Sequence, residues 1–410
     1  MKTLAAFRAA EGMELSMEKG AVLLLLIAVV VAIITRKLRM PYSAGLVAAG
    51  MAVALVPFAP QVSLTKDLIY TGLLPPLIFE AAFHLQWKEL RRDLPVILVL
   101  ATVGVLISAA ITMFGMHMVA HWEWASALVF GVLIAATDPV SVIATFREAH
   151  VTGRLRLLVE SESLFNDGTA AVIFGLAVTV AGGHSLSALA ITRTVLVSAG
   201  GGFLCGALTG NLVLFLTGRT EDHLVETACT TIAAYGSFLL ADSLQASGVL
   251  ATLTAGLVMG NFSSLGPMSD RGKEAVEAFW EYAAFVANSI VFLLIGMHEA
   301  RRDFAAAWVP SIIAALLVLA GRAATVYPIC LAFARSRLRV SRTHQHILWW
   351  GGLRGALALA LVLGLPAGVP RREEIITVSF AVVAISIFLQ GLTMAPLLRH
   401  LGEIPAASAD

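Results

Sequence analysis

Charge is scarce in this chain. Asp, Glu, Lys and Arg together make up 13% of its 410 residues, about half of the roughly 25% typical of a soluble domain. Cysteine is nearly absent. The three that occur, Cys205, Cys229 and Cys330, all fall inside apolar runs with no CxxC or Cys/His spacing, so a disulfide framework and a zinc site are both excluded and the bland role of small packing residues remains. A net charge of +1 gives no basic footprint for nucleic acid. Long polar stretches are missing too. No loop is long enough to fold separately, and only about ten residues follow the last apolar run, so the expectation is one membrane domain over 1–410 without a cytoplasmic regulatory domain.

What fills the chain instead is apolar sequence: 58% of residues are hydrophobic and the mean hydropathy is +0.86. The first run, Ala21 to Ile34, is followed at once by Arg36, Lys37 and Arg39 rather than by a small-residue cleavage site, so it reads as a retained span. Runs long enough to cross a bilayer, separated by short charged loops, predict an all-α polytopic protein of about thirteen transmembrane helices. They lie at 20–35, 42–58, 67–86, 94–119, 123–146, 155–181, 187–217, 223–243, 247–262, 275–297, 305–333, 343–365 and 373–398. Lys and Arg concentrate in alternate loops, at Arg36-Lys37-Arg39, Lys88-Arg91-Arg92, Arg147-Arg154-Arg156 and Arg335-Arg337-Arg339-Arg342. The positive-inside rule then places the N-terminus outside and the C-terminus in the cytoplasm. The brevity of the chain points to a prokaryotic cell membrane.

An odd central helix among thirteen suggests two six-helix repeats of opposite topology. Folds of that kind put ion sites at broken, crossed helices near the bilayer midplane. The fifth run contains Ala136-Thr-Asp-Pro139, where proline removes a backbone donor. Its opposite-facing partner is the twelfth, with Gly351-Gly-Leu-Arg-Gly355. Irregular backbone at that depth is tolerated only beside protein or water.

Polar chemistry is gathered in Glu160-Ser-Glu-Ser-Leu-Phe-Asn-Asp-Gly-Thr169, which opens an apolar run from Ala170 to Ala181. A charge at bilayer depth costs roughly 2.5–3.5 kcal/mol on insertion scales, so such groups face a partner or a wet cavity. Helical spacing sets Glu162 one turn from Asn166 and Ser163 one turn from Asp167. Asp138 and Asp167 are the candidate ligands, two carboxylates suited to a hard cation that prefers oxygen. Asp138 equally suits a cap on the second half-helix. Thr137 adds a carbonyl or hydroxyl, and Ser163 a hydroxyl. Asn166 carries neither proton nor charge, and its plain role is bonding across helices. Glu80 reads either as an access-path carboxylate or as a side chain snorkelling toward the inner interface near Lys88. His84 reads as interfacial. Asp242 and Glu226 read as helix-end or pathway residues. Arg322 and Arg354 are intramembrane cations, each in need of a carboxylate, with Glu162 the surplus acid; Glu162 with Arg322 is the expected clamp and Arg354 the cation beside the broken helix.

Four of these segments together resemble one family. Leu74-Pro-Pro-Leu-Ile-Phe-Glu80, Ala136-Thr-Asp-Pro-Val-Ser141, Glu162-Ser-Leu-Phe-Asn-Asp-Gly168 and Gly351-Gly-Leu-Arg-Gly-Ala356 are similar, in order and spacing, to the NhaP and animal sodium/proton exchanger branch of the monovalent cation:proton antiporters. The resemblance implies the sodium/proton antiporter fold and a homodimer. It implies a mobile core of helices at about 94–181 and 305–398, working in elevator fashion against dimerisation helices at about 20–86 and 187–297. It implies a cation held by Asp138 and Asp167 with help from Ser163, the Thr137 carbonyl and Glu80, and a Glu162–Arg322 pair. The Asn166-Asp167 sequence marks the branch regarded as electroneutral. No cofactor is implied, only transported Na+ (or K+ or Li+) and H+.

The functional expectation is therefore a secondary antiporter and not an enzyme. It exchanges a monovalent cation, Na+ foremost, for H+ by alternating access, with ion and proton competing for Asp138 and Asp167. A K+/H+ antiporter of the same fold is the alternative. A channel would use rings of acids or carbonyls, whereas these carboxylates are single and sit on different helices. An intramembrane aspartyl protease would need Gly-x-Gly-Asp, which the sequence lacks.

Overall fold

The computed structural model describes residues 20, 22–38, 40–56, 64–149, 151–262, 268–300 and 307–404. Arg39, which entered the charge comparison, lies outside the described residues. Among those described there is no strand, and helix occupies each of the expected runs. In chain order the helices are α1 (22–38), α2 (Tyr42–Ala54), α3 (Leu68–His84), α4 (Trp87–Val119), α5 (Trp124–Leu133), α6 (Val140–Glu148), α7 (Arg154–Ala181) and α8 (Ala188–Thr217). They continue with α9 (His223–Ser243), α10 (Gly248–Asn261), α11 (Asp270–Glu299), α12 (Trp308–Ala332), α13 (Arg342–Trp350), α14 (Ala356–Leu363) and α15 (Arg372–His400). Seven of them, α4, α7, α8, α9, α11, α12 and α15, are long and apolar enough to cross a membrane by length and composition.

Two starts differ from expectation for one reason. Helix α4 begins at Trp87 rather than 94, and α11 at Asp270 rather than 275. Hydropathy stops at the first charges, but a helix continues through charged turns once they reach the polar interface. Ser269 caps α11 by accepting from the Gly272 amide at 3.0 Å, an end-group bond worth about 1 kcal/mol. Glu226, left open by the sequence, is fully buried and braces the same end, accepting from the Ser269 amide and hydroxyl, each at 2.9 Å.

Packing sorts the helices into two groups. In one, α2 lies against α11, α10 against α3, and α8 against α10. Backbones touch there because glycine leaves room: a β-carbon at Gly296 would strike the Val47 carbonyl, and one at Gly260 the Phe83 carbonyl, the close approach that drives helix association in lipid. In the other group α4 packs on α12 and α5, and α5 on α7. Helix α7 also meets α3 and α10, where Leu250 fills the space beside Gly168.

The fifth and twelfth runs are each interrupted. Helix α5 ends at Leu133 and α6 starts at Val140; α13 ends at Trp350 and α14 starts at Ala356. The two irregular segments cross, and the Asp138 amide donates to the Leu353 carbonyl at 2.8 Å. Exposed backbone at this depth is costly unless each group finds a partner. Those partners make the site.

Candidate functional site

Both half-helices that leave the crossing, α6 and α14, begin there, so two positive helix ends converge on one point. Asp138 occupies it. Its carboxylate accepts from the Val140 amide at 2.9 Å and from the Ala356 amide at 3.4 Å, one oxygen to each helix. The two readings of Asp138, cap and ligand candidate, are thus compatible. It caps two helices, not one, and it lines a cavity. Gly355 makes this possible, because a β-carbon there would collide with the Asp138 carboxylate.

The negative ends are covered by cations and amides. Arg354, 1% exposed, donates through one terminal nitrogen to the Ala135 and Ala136 carbonyls at 2.8 and 2.9 Å. This corrects the expectation that each intramembrane arginine needs a carboxylate. The broken end of α5 offers unpaired carbonyls that carry the partial charge of the helix terminus, and the guanidinium takes those. On the opposite side Gln390 of α15 donates to the Trp350 carbonyl at the end of α13, at 2.8 Å, and Ser386 accepts from the Arg354 amide at 3.1 Å. Sequence reasoning passed over Gln390 and Ser386, since a lone uncharged polar group in an apolar run gives no signal of what it faces.

Glu162 takes Arg322. The guanidinium of α12 meets the carboxylate of α7 through two bonds, at 2.8 and 2.7 Å, and also donates to the Leu348 carbonyl of α13 at 3.1 Å. Three helices are joined by one fork of donors. Asn166 extends the network. Its side-chain nitrogen donates to the Thr137 hydroxyl at 2.5 Å and to Glu162 at 3.2 Å, while its oxygen accepts from the Thr137 amide at 3.1 Å. The Thr137 and Ser163 hydroxyls share a bond of 2.9 Å. Ser163 is thus brought to Thr137, although only Thr137 of the two lines the cavity.

Asp167, like the Nε and second terminal nitrogen of Arg354, is left partly open. It lies one turn beyond Ser163 on α7, and its Oδ1 is buried without a hydrogen-bond partner. A buried acceptor left open costs about 1–3 kcal/mol, and such an exception calls for an explanation. Asp167, Asp138 and Thr137 line one end of a cavity of about 760 Å³. The same cavity reaches Glu80, Glu160 and Arg147, and extends to the exposed Arg36 and Glu281. Glu80 is buried and accepts from Arg147 of α6 at 2.8 Å. It lines the same cavity as Asp138 and Asp167, which suits the access-path reading. Its carbonyl also accepts from His84 at 2.8 Å when that ring nitrogen carries the proton. Arg147 had counted only as a loop charge. The available signal was its position nine residues after Asp138, on the helix that leaves the break.

Residues 23–400 match the family described as sodium/hydrogen exchanger, transmembrane. The chain is 39% identical over 368 residues to the Na(+)/H(+) antiporter ApNhaP of Aphanothece halophytica, covering 89% of this chain and 70% of that protein. It is 31% identical over 402 residues to the Na(+)/H(+) antiporter NhaH of Halobacillus dabanensis, covering 93% and 97%. Among solved structures it is similar in fold to the sodium proton antiporter MjNhaP1 of Methanocaldococcus jannaschii, with a TM-score of 0.74 at 20% identity over 95% of this chain and 97% of that one.

Proposed function

This chain belongs to the transmembrane sodium/hydrogen exchanger family, and we propose on that premise that it exchanges Na+ for H+ at the end of the cavity where Asp138 and Asp167 meet. It is a multi-pass membrane transporter, not an enzyme, and it uses no cofactor. The observation that carries the site assignment is the open acceptor of Asp167. Both oxygens of Asp138 and of Glu162 accept bonds within the protein, whereas Asp167 keeps one oxygen wholly open to an incoming cation or proton.

The cycle follows from mass action. Na+ takes oxygen ligands from Asp138, Asp167 and Thr137, with Ser163 orienting Thr137. Protonation removes the charge that holds the ion, so one displaces the other. Exchange is one for one and electroneutral. Asn166 supports this because its bonds tie it to Thr137 and Glu162 and it has no proton to contribute. The assembly is a homodimer in which the helices at about 20–86 and 187–297 form the scaffold and those at about 94–181 and 305–398 the moving core. The exposed apolar side chains along α1 and α8, among them Leu26, Ile33, Leu204 and Leu208, suit a face that meets lipid or a second copy. The N-terminus lies outside, which makes the cavity mouth cytoplasmic.

The test is transport by purified protein in liposomes with an imposed pH gradient, following lumenal pH as Na+, K+ or Li+ is added. Na+ should dissipate the gradient at the same rate with and without a voltage clamp. A rate that follows the clamped voltage would overturn the stoichiometry, a preference for K+ would move the protein to the alternative ion, and silence with every cation would overturn antiport itself.

A further inference from the structure

The mouth of the cavity is bridged by a cation that belongs to the protein. Arg147 stands at the far end of α6, whose beginning is the Asp138 crossing. Its guanidinium is 2.8 Å from the buried Glu80 carboxylate of α3 and 3.7 Å from the exposed Glu281 of α11. All three side chains line the cavity that ends at Asp138 and Asp167. Helix α6, the outgoing half of the broken helix, packs on α2, α7 and α15, while α3 and α11 belong to the first packing group. The bridge therefore ties α6 to α3 and α11 across the cavity that also holds Asp138 and Asp167.

We propose that Arg147 is a built-in competitor of the transported cation, occupying Glu80 while no ion is passing and withdrawing toward Glu281 when one arrives. Glu80 is the carboxylate an entering ion would meet on the way to Asp138 and Asp167. A carboxylate paired with a guanidinium has its charge compensated and one oxygen engaged, so the ion competes with Arg147 for it. The geometry supplies the alternative resting place. Glu281 is 71% exposed, Arg147 41% and Glu80 10% at the side chain; the guanidinium thus moves from a dry partner to a wet one without becoming stranded. The remaining ionisable neighbours are His84, 3.7 Å from Glu80, and Glu160, which is engaged by Arg156 at 3.5 Å. Neither bonds Arg147 directly. The inference rests on the antiport reading and adds a residue that sets apparent affinity from outside the ion site.

Competition has a quantitative signature. If Arg147 holds Glu80 for about nine-tenths of the time, the half-saturating Na+ concentration is raised roughly 10-fold over the intrinsic value. Initial rates of Na+-driven proton flux in proteoliposomes, taken across a Na+ series, read this directly. Arg147→Gln should lower the half-saturating concentration by about that factor, and Arg147→Lys by less, since a lysine keeps the charge but loses the fork. Glu281→Gln should raise it, because Arg147 then has only Glu80 to rest on. In a Glu80→Gln background, Arg147→Gln should leave it unchanged, the mark of coupling through that pair.

An unchanged or raised half-saturation in well-folded Arg147→Gln protein would overturn the competitor, and so would a fall that persists without Glu80. A purely structural role predicts a lower melting temperature with half-saturation unmoved. Should Arg147→Gln fail to fold, Glu281→Gln decides: a rise supports the proposal and no change overturns it. Wild-type protein that exchanges normally while these variants disagree sinks only the competitor, whereas wild-type protein with no Na+-driven flux sinks the antiport reading beneath it.

Discussion

Glu162 and Asp167 lie five residues apart on one helix, yet they inhabit opposite electrostatic worlds. Glu162 is 1% exposed and has both oxygens filled by Arg322, with Asn166 as a further donor. Asp167 faces a cavity and leaves one oxygen open. Each placement is costly in an apolar medium, and the two costs are met differently. At Glu162 a fixed countercharge and a bidentate fork close the account permanently. At Asp167 no hydrogen bond closes Oδ1, which on the proposed function leaves the position to something that comes and goes. A buried charge that is fully bonded supports structure; one left partly bonded at the end of a cavity is equipped for turnover.

Substitutions can break that contrast in order of effect. The largest is Asp167→Asn, which keeps the shape and removes the charge. Na+-driven proton flux in liposomes should fall by roughly 100-fold or more, equivalent to ~2.7 kcal/mol, with the melting temperature held or raised because the open acceptor no longer needs an ion. Near-normal flux would remove Asp167 from the site. The clamp should answer in the opposite way. Arg322→Gln leaves Glu162 buried without its countercharge, a loss of about 3–5 kcal/mol, read as a large drop in thermal melting in detergent. Melting that stays put would show that the pair is not structural.

Gly355→Ala sharpens the comparison from a third side. The added methyl has no room against the Asp138 carboxylate, so the double cap on α6 and α14 must shift. Transport should fall about 10-fold or more, in line with the cost of small misplacements at reacting groups, while Gly368→Ala, which has open space around it, should leave it unaltered. Equal rates in the two variants would deny Asp138 its positioning role. The smallest effect belongs to Ser163→Ala. It removes one hydroxyl bond worth about 1 kcal/mol, and apparent Na+ affinity should weaken by roughly five-fold with the maximal rate retained; a collapse of the maximal rate would move Ser163 from support to direct ligation.

Most of the architecture was legible because hydropathy and depth are one-dimensional quantities. The succession of apolar helices, the break at Asp138-Pro139 and the glycine-rich break at 351–355 could all be read from local composition. The candidate carboxylates were legible for the same reason: charge in an apolar run stands out. Partnership was harder. That Arg322 and not Arg354 takes Glu162 depends on which helix lies opposite which, and the sequence of α7 alone is silent on that point. Arg354 was misjudged because backbone carbonyls at a broken helix end carry no letter in the sequence, although they are the acceptors it uses. Arg147 was missed because a charge near a loop looks the same whether it marks topology or reaches back into a cavity.

The bond from Arg354 to the Ala135 and Ala136 carbonyls has an electrical consequence. Because the guanidinium is held by backbone, it stays at the crossing as a permanent +1 that no carboxylate has claimed. With Asp138 and Asp167 ionised and the Glu162–Arg322 pair neutral, the unloaded crossing carries a single surplus negative charge. One Na+ or one proton cancels it. On the proposed one-for-one exchange, moving an uncancelled charge through the apolar interior is expensive, which would hold back the empty carrier and release either loaded form. In that proposal coupling needs no separate lock, because the arginine would set the load at one monovalent charge per crossing.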